Sequence, residues 1–179
     1  MKNKRLLTLV SLLLACVLTL GVSAAPANTQ PQEGAQVTPE QVTALVDSLP
    51  EDGSYIYNWT TGELSPLTAK SPRLSYLTTV SAGISASGST VKCSSSVSIY
   101  KDYDVDLDME LQQSKSSSGS FDGITSWYKS VTSTGTTSLS KSYSVSSGYY
   151  YRTEAVATVL SSSGRALETV VERSSSKKV

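Results

Sequence analysis

A chain of 179 residues, 39% hydrophobic and 17% charged, has room for one domain of ordinary size; it is neither charge-rich enough for a disordered chain nor apolar enough for a membrane bundle. It contains no histidine, which removes His-based acid–base catalysis, Ser–His triads and imidazole metal ligands. The 15 basic and 15 acidic side chains cancel, and without Lys2, Lys4 and Arg5 twelve basic face fifteen acidic ones, a net of −3 with no general attraction for nucleic acid or anionic lipid.

The N-terminus opens on those three basic residues. An almost unbroken apolar run over residues 6–20 follows, and Gly21, Val22, Ser23, Ala24 and Ala25 supply small residues. This order predicts a cleavable signal peptide over 1–24, cut after Ala24 or Ala25, and hence a secreted, extracellular protein. Leu13-Leu14-Ala15-Cys16 resembles a lipobox and leaves a lipid anchor at Cys16 as the alternative; the hydrophobic residues that follow favour secretion. No other apolar stretch reaches the roughly 20 residues of a membrane span, so the mature chain is not expected to be an integral membrane protein. It would keep one cysteine, Cys93, and no intramolecular disulfide.

Residues 25–73 read as a flexible lead-in. Pro26, Pro31 and Gly34 suit a disordered spacer. Thr38-Pro39-Glu40-Gln41 then places a capping residue, a first-turn proline and a glutamine at capping-box spacing. Val42, Leu45, Val46 and Leu49 recur at helical spacing before Pro50, predicting a short amphipathic helix near 39–49. Tyr55, Tyr57 and Trp59 alternate ahead of Thr61-Gly62, as in a short strand and turn.

From residue 74 to 179 the period is two. Leu74, Tyr76, Thr78, Val80, Ala82 and Ile84 share a face; so do Val91, Cys93, Ser95, Val97 and Ile99; so do Val105, Leu107, Met109 and Leu111. Ile124, Ser126 and Tyr128 alternate with Trp127, a further strand carries Leu139, Tyr143 and Val145, and two strands over 149–160 and 166–173 end the domain. About seven strands with regular turns, and no helical pattern among them, predict an all-β antiparallel sandwich.

The strand Gly148-Tyr149-Tyr150-Tyr151-Arg152-Thr153-Glu154-Ala155 resembles the F strand of immunoglobulin-like and fibronectin type III-like domains, in which a tyrosine pins the E–F corner. Cys93 stands where such a domain carries its B-strand cysteine, and the matching F-strand cysteine is absent. With the leader, Trp127 and Ser140-Lys141-Ser142-Tyr143, the chain also resembles small, uncharacterised secreted proteins of Gram-positive (Firmicutes-type) bacteria. The resemblance implies export and an immunoglobulin-like sandwich, and no particular activity.

The chemically unusual stretch is Asp102, Asp104, Asp106, Asp108 and Glu110, alternating with Tyr103, Val105, Leu107 and Met109. A strand puts the five acids in one row, roughly 7 Å apart. Such a row needs solvent, basic neighbours or a cation, and hard oxygen ligands suit Ca²⁺. The spacing is not that of an EF-hand, and a solvated outer face satisfies the pattern as well. Tyr100, Tyr128 and Tyr150 are candidates for an aromatic contact surface. There is no phosphate-binding glycine loop and no metal-type cysteine cluster. The expected function is a non-enzymatic extracellular module that binds protein or glycan. The alternatives are a structural or self-assembling surface component and, behind it, a carboxylate-based hydrolase.

Overall fold

A computed structural model of the chain describes residues 36–68, 74–132 and 134–179. The signal peptide expected over 1–24, its cleavage site, the alternative anchor at Cys16 and the spacer up to residue 35 lie outside the described residues. Among the described residues no helix is long and apolar enough to cross a membrane.

Helix α1 (Pro39–Ser48) starts where the capping pattern predicts. The Thr38 backbone N–H donates to Gln41 Oε1 at 2.8 Å, and the Gln41 N–H donates back to Thr38 Oγ1 at 3.4 Å. This reciprocal pair satisfies two N–H groups that the first turn cannot. Pro50 closes the helical segment, and the chain enters the strands.

Among the described residues ten strands follow: β1 (Tyr55–Asn58), β2 (Glu63–Pro66), β3 (Leu77–Ser87), β4 (Thr90–Ile99), β5 (Asp104–Ser114), β6 (Asp122–Thr132), β7 (Gly135–Ser144), β8 (Tyr150–Leu160), β9 (Ala166–Arg173) and β10 (Lys177–Lys178). They form two antiparallel sheets. The larger has the order β2-β1-β9-β8-β5-β6, with β10 pairing to β8, and the smaller is β3-β4-β7. The seven strands expected after residue 74 are β3 to β9.

Alternation explains the sandwich. Val105, Leu107, Met109 and Leu111 on β5 are fully buried, as are Val91, Cys93 and Val97 on β4. They meet between the sheets, joined by Ala157, Val159 and Val170 of β8 and β9. Burying each such aliphatic side chain stabilises the fold by about 1.5–3 kcal/mol, enough for a core that needs no disulfide.

Strand β8 is buried along nearly its whole length. Its odd residues face the small sheet. Its even residues face the helix, where Val156 and Val171 pack against Leu49, Val42, Val46 and Tyr55. The domain therefore has a third, partial layer, and α1 belongs to it.

Two details depart from the simple alternation. A bulge between Leu77 and Thr79 shifts the start of β3, so Leu77 is buried and Thr78 exposed, the reverse of the expected face. A second irregularity, between Leu111 and Gln112 opposite β6, puts Ile124 and Trp127 together against the core while Ser126 and Tyr128 stay exposed. Gly123 sits at that irregularity, where a Cβ would run into the Glu110 carboxylate.

At the start of β8, the Tyr151 hydroxyl donates to the Ser146 carbonyl at 2.7 Å. The ring is 1% exposed, so the bond ties the β7–β8 corner to the core.

Candidate binding groove

The outer face of the large sheet carries the unusual chemistry, and strand register places each residue on it. Asp106 of β5 pairs with Thr158 of β8 on one side and Ser130 of β6 on the other. Asp108 pairs with Val156 and Tyr128, and Glu110 pairs with Glu154 and Ser126. The row is thus real for Asp104, Asp106, Asp108 and Glu110. Asp102 falls in the bend before β5, where its Oδ1 accepts the Thr134 N–H at 3.2 Å.

Strand β6 supplies hydroxyls to the row. Thr132 Oγ1 donates to Asp104 Oδ1. The Tyr128 hydroxyl reaches diagonally across the pair and donates to Asp106 Oδ1 at 2.6 Å. That bond holds the Tyr128 phenol above its ordinary range. The Asp108 carboxyl is also held above its ordinary range, first by loss of hydration beneath the helix and then by the neighbouring Asp106 charge. Among the described residues no group of three or more acidic or cysteine side chains is gathered closely enough to hold a metal ion. The oxygens of Asp104 and Asp106 accept hydrogen bonds from the β6 hydroxyls.

Above this stretch, the N-terminal end of α1 and the β8–β9 turn wall a groove of about 370 Å³. Asp106, Asp108 and Tyr128 line one side, Thr158 and Leu160 come from β8, and Val37, Pro39 and Val42 close the other. The Tyr128 side chain is 59% exposed, so its ring is open to a ligand while its hydroxyl is fixed.

The three candidate tyrosines are not brought together. Tyr100 is exposed in the β4–β5 connection and lines a separate groove with Leu74, Ser75, Leu77 and Thr78. Tyr150 is half-buried at the start of β8, opposite Ser114, with Lys178 Nζ 5.6 Å from its ring centre.

A second cluster on the same face had no counterpart in the sequence reading. Arg152 donates through Nε to Gln112 Oε1 (2.7 Å), through Nη1 to the Glu51 carbonyl (2.8 Å) and through Nη2 to Glu51 Oε2 (2.8 Å). Its guanidinium lies 4.1 Å from the Phe121 ring centre. Arg173 donates to Glu154 Oε2 at 2.5 Å and to the Pro50 carbonyl at 2.7 Å. Two neighbouring strands thus grip the segment that joins α1 to β1 and fix the helix over the groove. The signal legible in the sequence was alternation on a strand, with Arg152 and Glu154 standing between Tyr151, Thr153 and Ala155.

The outer face of the small sheet has a different chemistry. Five rows of three run across it, such as Ser81–Ser96–Ser138 and Thr79–Ser98–Thr136, and only Gly83 and Lys92 lack a hydroxyl. Ser81 and Ser96 hydrogen-bond at 2.7 Å, and Ser98 and Thr136 at 2.8 Å.

No family model, curated protein or solved structure matches the chain.

Proposed function

We propose that the protein is a secreted, non-enzymatic extracellular module of immunoglobulin-like type that binds a glycan in the groove of Asp106, Asp108 and Tyr128. The observation that carries this reading is the Tyr128 ring, exposed in a groove of about 370 Å³ while its hydroxyl is anchored on Asp106. An open aromatic face with carboxylate acceptors beside it suits a sugar, which offers a C–H face and outward hydroxyls together. The volume lies near the lower end of small-ligand sites, so the groove takes one or two sugar rings rather than a protein segment.

The immunoglobulin-like reading is supported by the strand order. With β3 to β9 taken as A, B, C, C′, E, F and G, the small sheet is A-B-E and the large one contains C′-C-F-G. Immunoglobulin-type sandwiches group A, B and E on one sheet and C, F and G on the other. The Tyr151–Ser146 bond stands where the corner tyrosine of such domains does, two residues before the F-strand cysteine position, which Thr153 occupies here. Export rests on the basic start, apolar run and small residues of 1–25.

The test is a glycan array probed with the full chain expressed in an exporting host, followed by calorimetry on each hit. Tyr128→Ala and Asp106→Asn are each expected to weaken binding about tenfold or more. A hit whose affinity neither substitution changes, or an array without hits, overturns the proposal.

A further inference from the structure

Among the described residues the two sheets end on four strands, β2 and β6 in the larger and β3 and β7 in the smaller, and three of these edges carry features that discourage pairing with another chain. Strand β2 is four residues long and ends in Pro66. Strand β6 carries Asp122 and Lys129, and β7 carries Lys141. These last two edges also lie together, because Lys129 Nζ donates to Thr137 Oγ1 at 2.7 Å and Trp127 meets Tyr143 edge to face at 6.4 Å.

Strand β3 is different. It is 11 residues long and contains neither a charged residue nor a proline. Its single bulge lies at the Leu77 end, so the pairing from Thr79 to Ser87 is regular.

A second, independent observation concerns its core side. Val80, Ala82 and Ile84 face the core opposite Val97, Ser95 and Cys93. Those β4 partners are all buried, whereas Val80, Ala82 and Ile84 are only half-buried and Ala86 is exposed. The edge therefore leaves part of an apolar rim open to solvent along a strand with no partner on its outer side among the described residues, although its Gly83 carbonyl is already taken by Thr153 Oγ1.

We infer that β3 pairs antiparallel with the β3 strand of a second copy of this chain, forming a continuous six-stranded sheet across a twofold axis near Ala82. A second copy fits for reasons of charge and shape. An uncharged edge does not repel itself, and a twofold axis at Ala82 sets Val80 against the partner's Ile84, so each rim covers the other. The joined sheet also keeps one hydroxyl-rich face, interrupted by Gly83 and Lys92 in each copy. A twofold contact of this kind closes on itself and stops at two copies. The inference does not depend on the glycan reading; it would place two grooves on one particle.

The test is sedimentation velocity of the full chain, expressed in an exporting host, over a concentration series. The expected result is a reversible species of twice the chain mass at high concentration. Ala82→Lys puts a charge on the inward rim and is expected to raise the dimer dissociation constant at least about tenfold. Should that variant lose its fold by circular dichroism, Ser81→Lys with Ser85→Lys, on the solvent side of the same edge, is expected to give the same shift. A species that stays monomeric at the highest soluble concentration overturns the inference. So does an open-ended polymer, or a dimer that the folded β3 variants leave unchanged.

Discussion

Thr153 of β8 donates through Oγ1 to the Gly83 carbonyl of β3 at 3.0 Å, so one fully buried side chain links the two sheets close to the buried Cys93 of β4. Burial pushes the Cys93 thiol above its ordinary value, which disfavours the reactive thiolate. Thr153→Cys would set a second thiol across the core beside Cys93, and the two are expected to form a disulfide when the protein folds under oxidising conditions, before burial disfavours the thiolate. The bridge should raise stability by about 3 kcal/mol over the reduced form. Thiol counting by mass spectrometry on the folded protein checks it, and two free thiols after oxidation would refute the placement.

The clamp on the helix gives a sharper energetic expectation. Arg173 and Glu154 form an ion pair whose side chains are 7% and 6% exposed. Removing one partner strands the other charge in a poorly hydrated place. Arg173→Ala is expected to cost about 3 kcal/mol in urea denaturation, whereas Arg173→Met combined with Glu154→Leu should recover much of it. The single substitution should also release the segment after α1, seen as faster hydrogen exchange at Glu51 and Gly53. Unchanged exchange there would mean that the helix is held by Val156 and Val171 alone.

These two cases show what the sequence could and could not reveal. The period of two placed Val105, Leu107, Met109 and Leu111 on one buried face because burial acts on every second residue of a strand. The capping box of α1 was equally legible, since its partners are three residues apart. The grip of Arg152 on Glu51 was not, because the two are 101 residues apart and come together only once β8 and the lead-in are in place. Bulges hid the true faces of Leu77 and Ile124 for the same reason: one extra residue reverses the alternation, and no local signal marks it. The groove combined both situations. Its Asp row was readable as a pattern, but the wall supplied by Val37 and Pro39 depends on where the helix docks.

Acid should strengthen this domain before it weakens it. Glu168 has no exposed surface. Its Oε2 accepts the Ser75 N–H at 2.9 Å, and its Oε1 has no hydrogen-bond partner. Burial raises its pKa above 4.5, against the opposing pull of backbone N–H groups. Half-buried Glu110 and Glu172 are raised as well, each chiefly by burial, and the more exposed Asp108 by partial loss of hydration and the Asp106 charge. A carboxyl with a raised folded pKa binds its proton more tightly folded than unfolded. Its penalty is therefore fully present at neutral pH, falls as the pH drops through the raised value, and is gone near the ordinary 3.8–4.5. The melting temperature is expected to rise from pH 7 to pH 5. Glu168→Gln, which keeps an acceptor for Ser75 and removes the charge, should flatten that rise. Scanning calorimetry at both pH values decides it, and a steady fall in melting temperature on acidification would contradict the assignment.

The acidic row supplies the last expectation. Like charges on alternate residues of one strand face repel, and either a cation or nearby donors can relieve them. Thr132 donates to Asp104 and Tyr128 to Asp106, so donors already serve two of the four aspartates, Asp102, Asp104, Asp106 and Asp108, on which a bound Ca²⁺ would draw. The melting temperature should then be the same in millimolar Ca²⁺ and in chelator. Added sodium chloride should instead raise it modestly, by screening the row. Tyr128→Phe removes one donor and is expected to cost about 1 kcal/mol, with a larger response to salt than the parent shows. A Ca²⁺-dependent rise that Asp104→Asn and Asp106→Asn abolish would instead identify the row as a cation site. In that case the hydroxyls of β6 would yield their places to the metal, and the glycan groove would have to be examined in its Ca²⁺-loaded form.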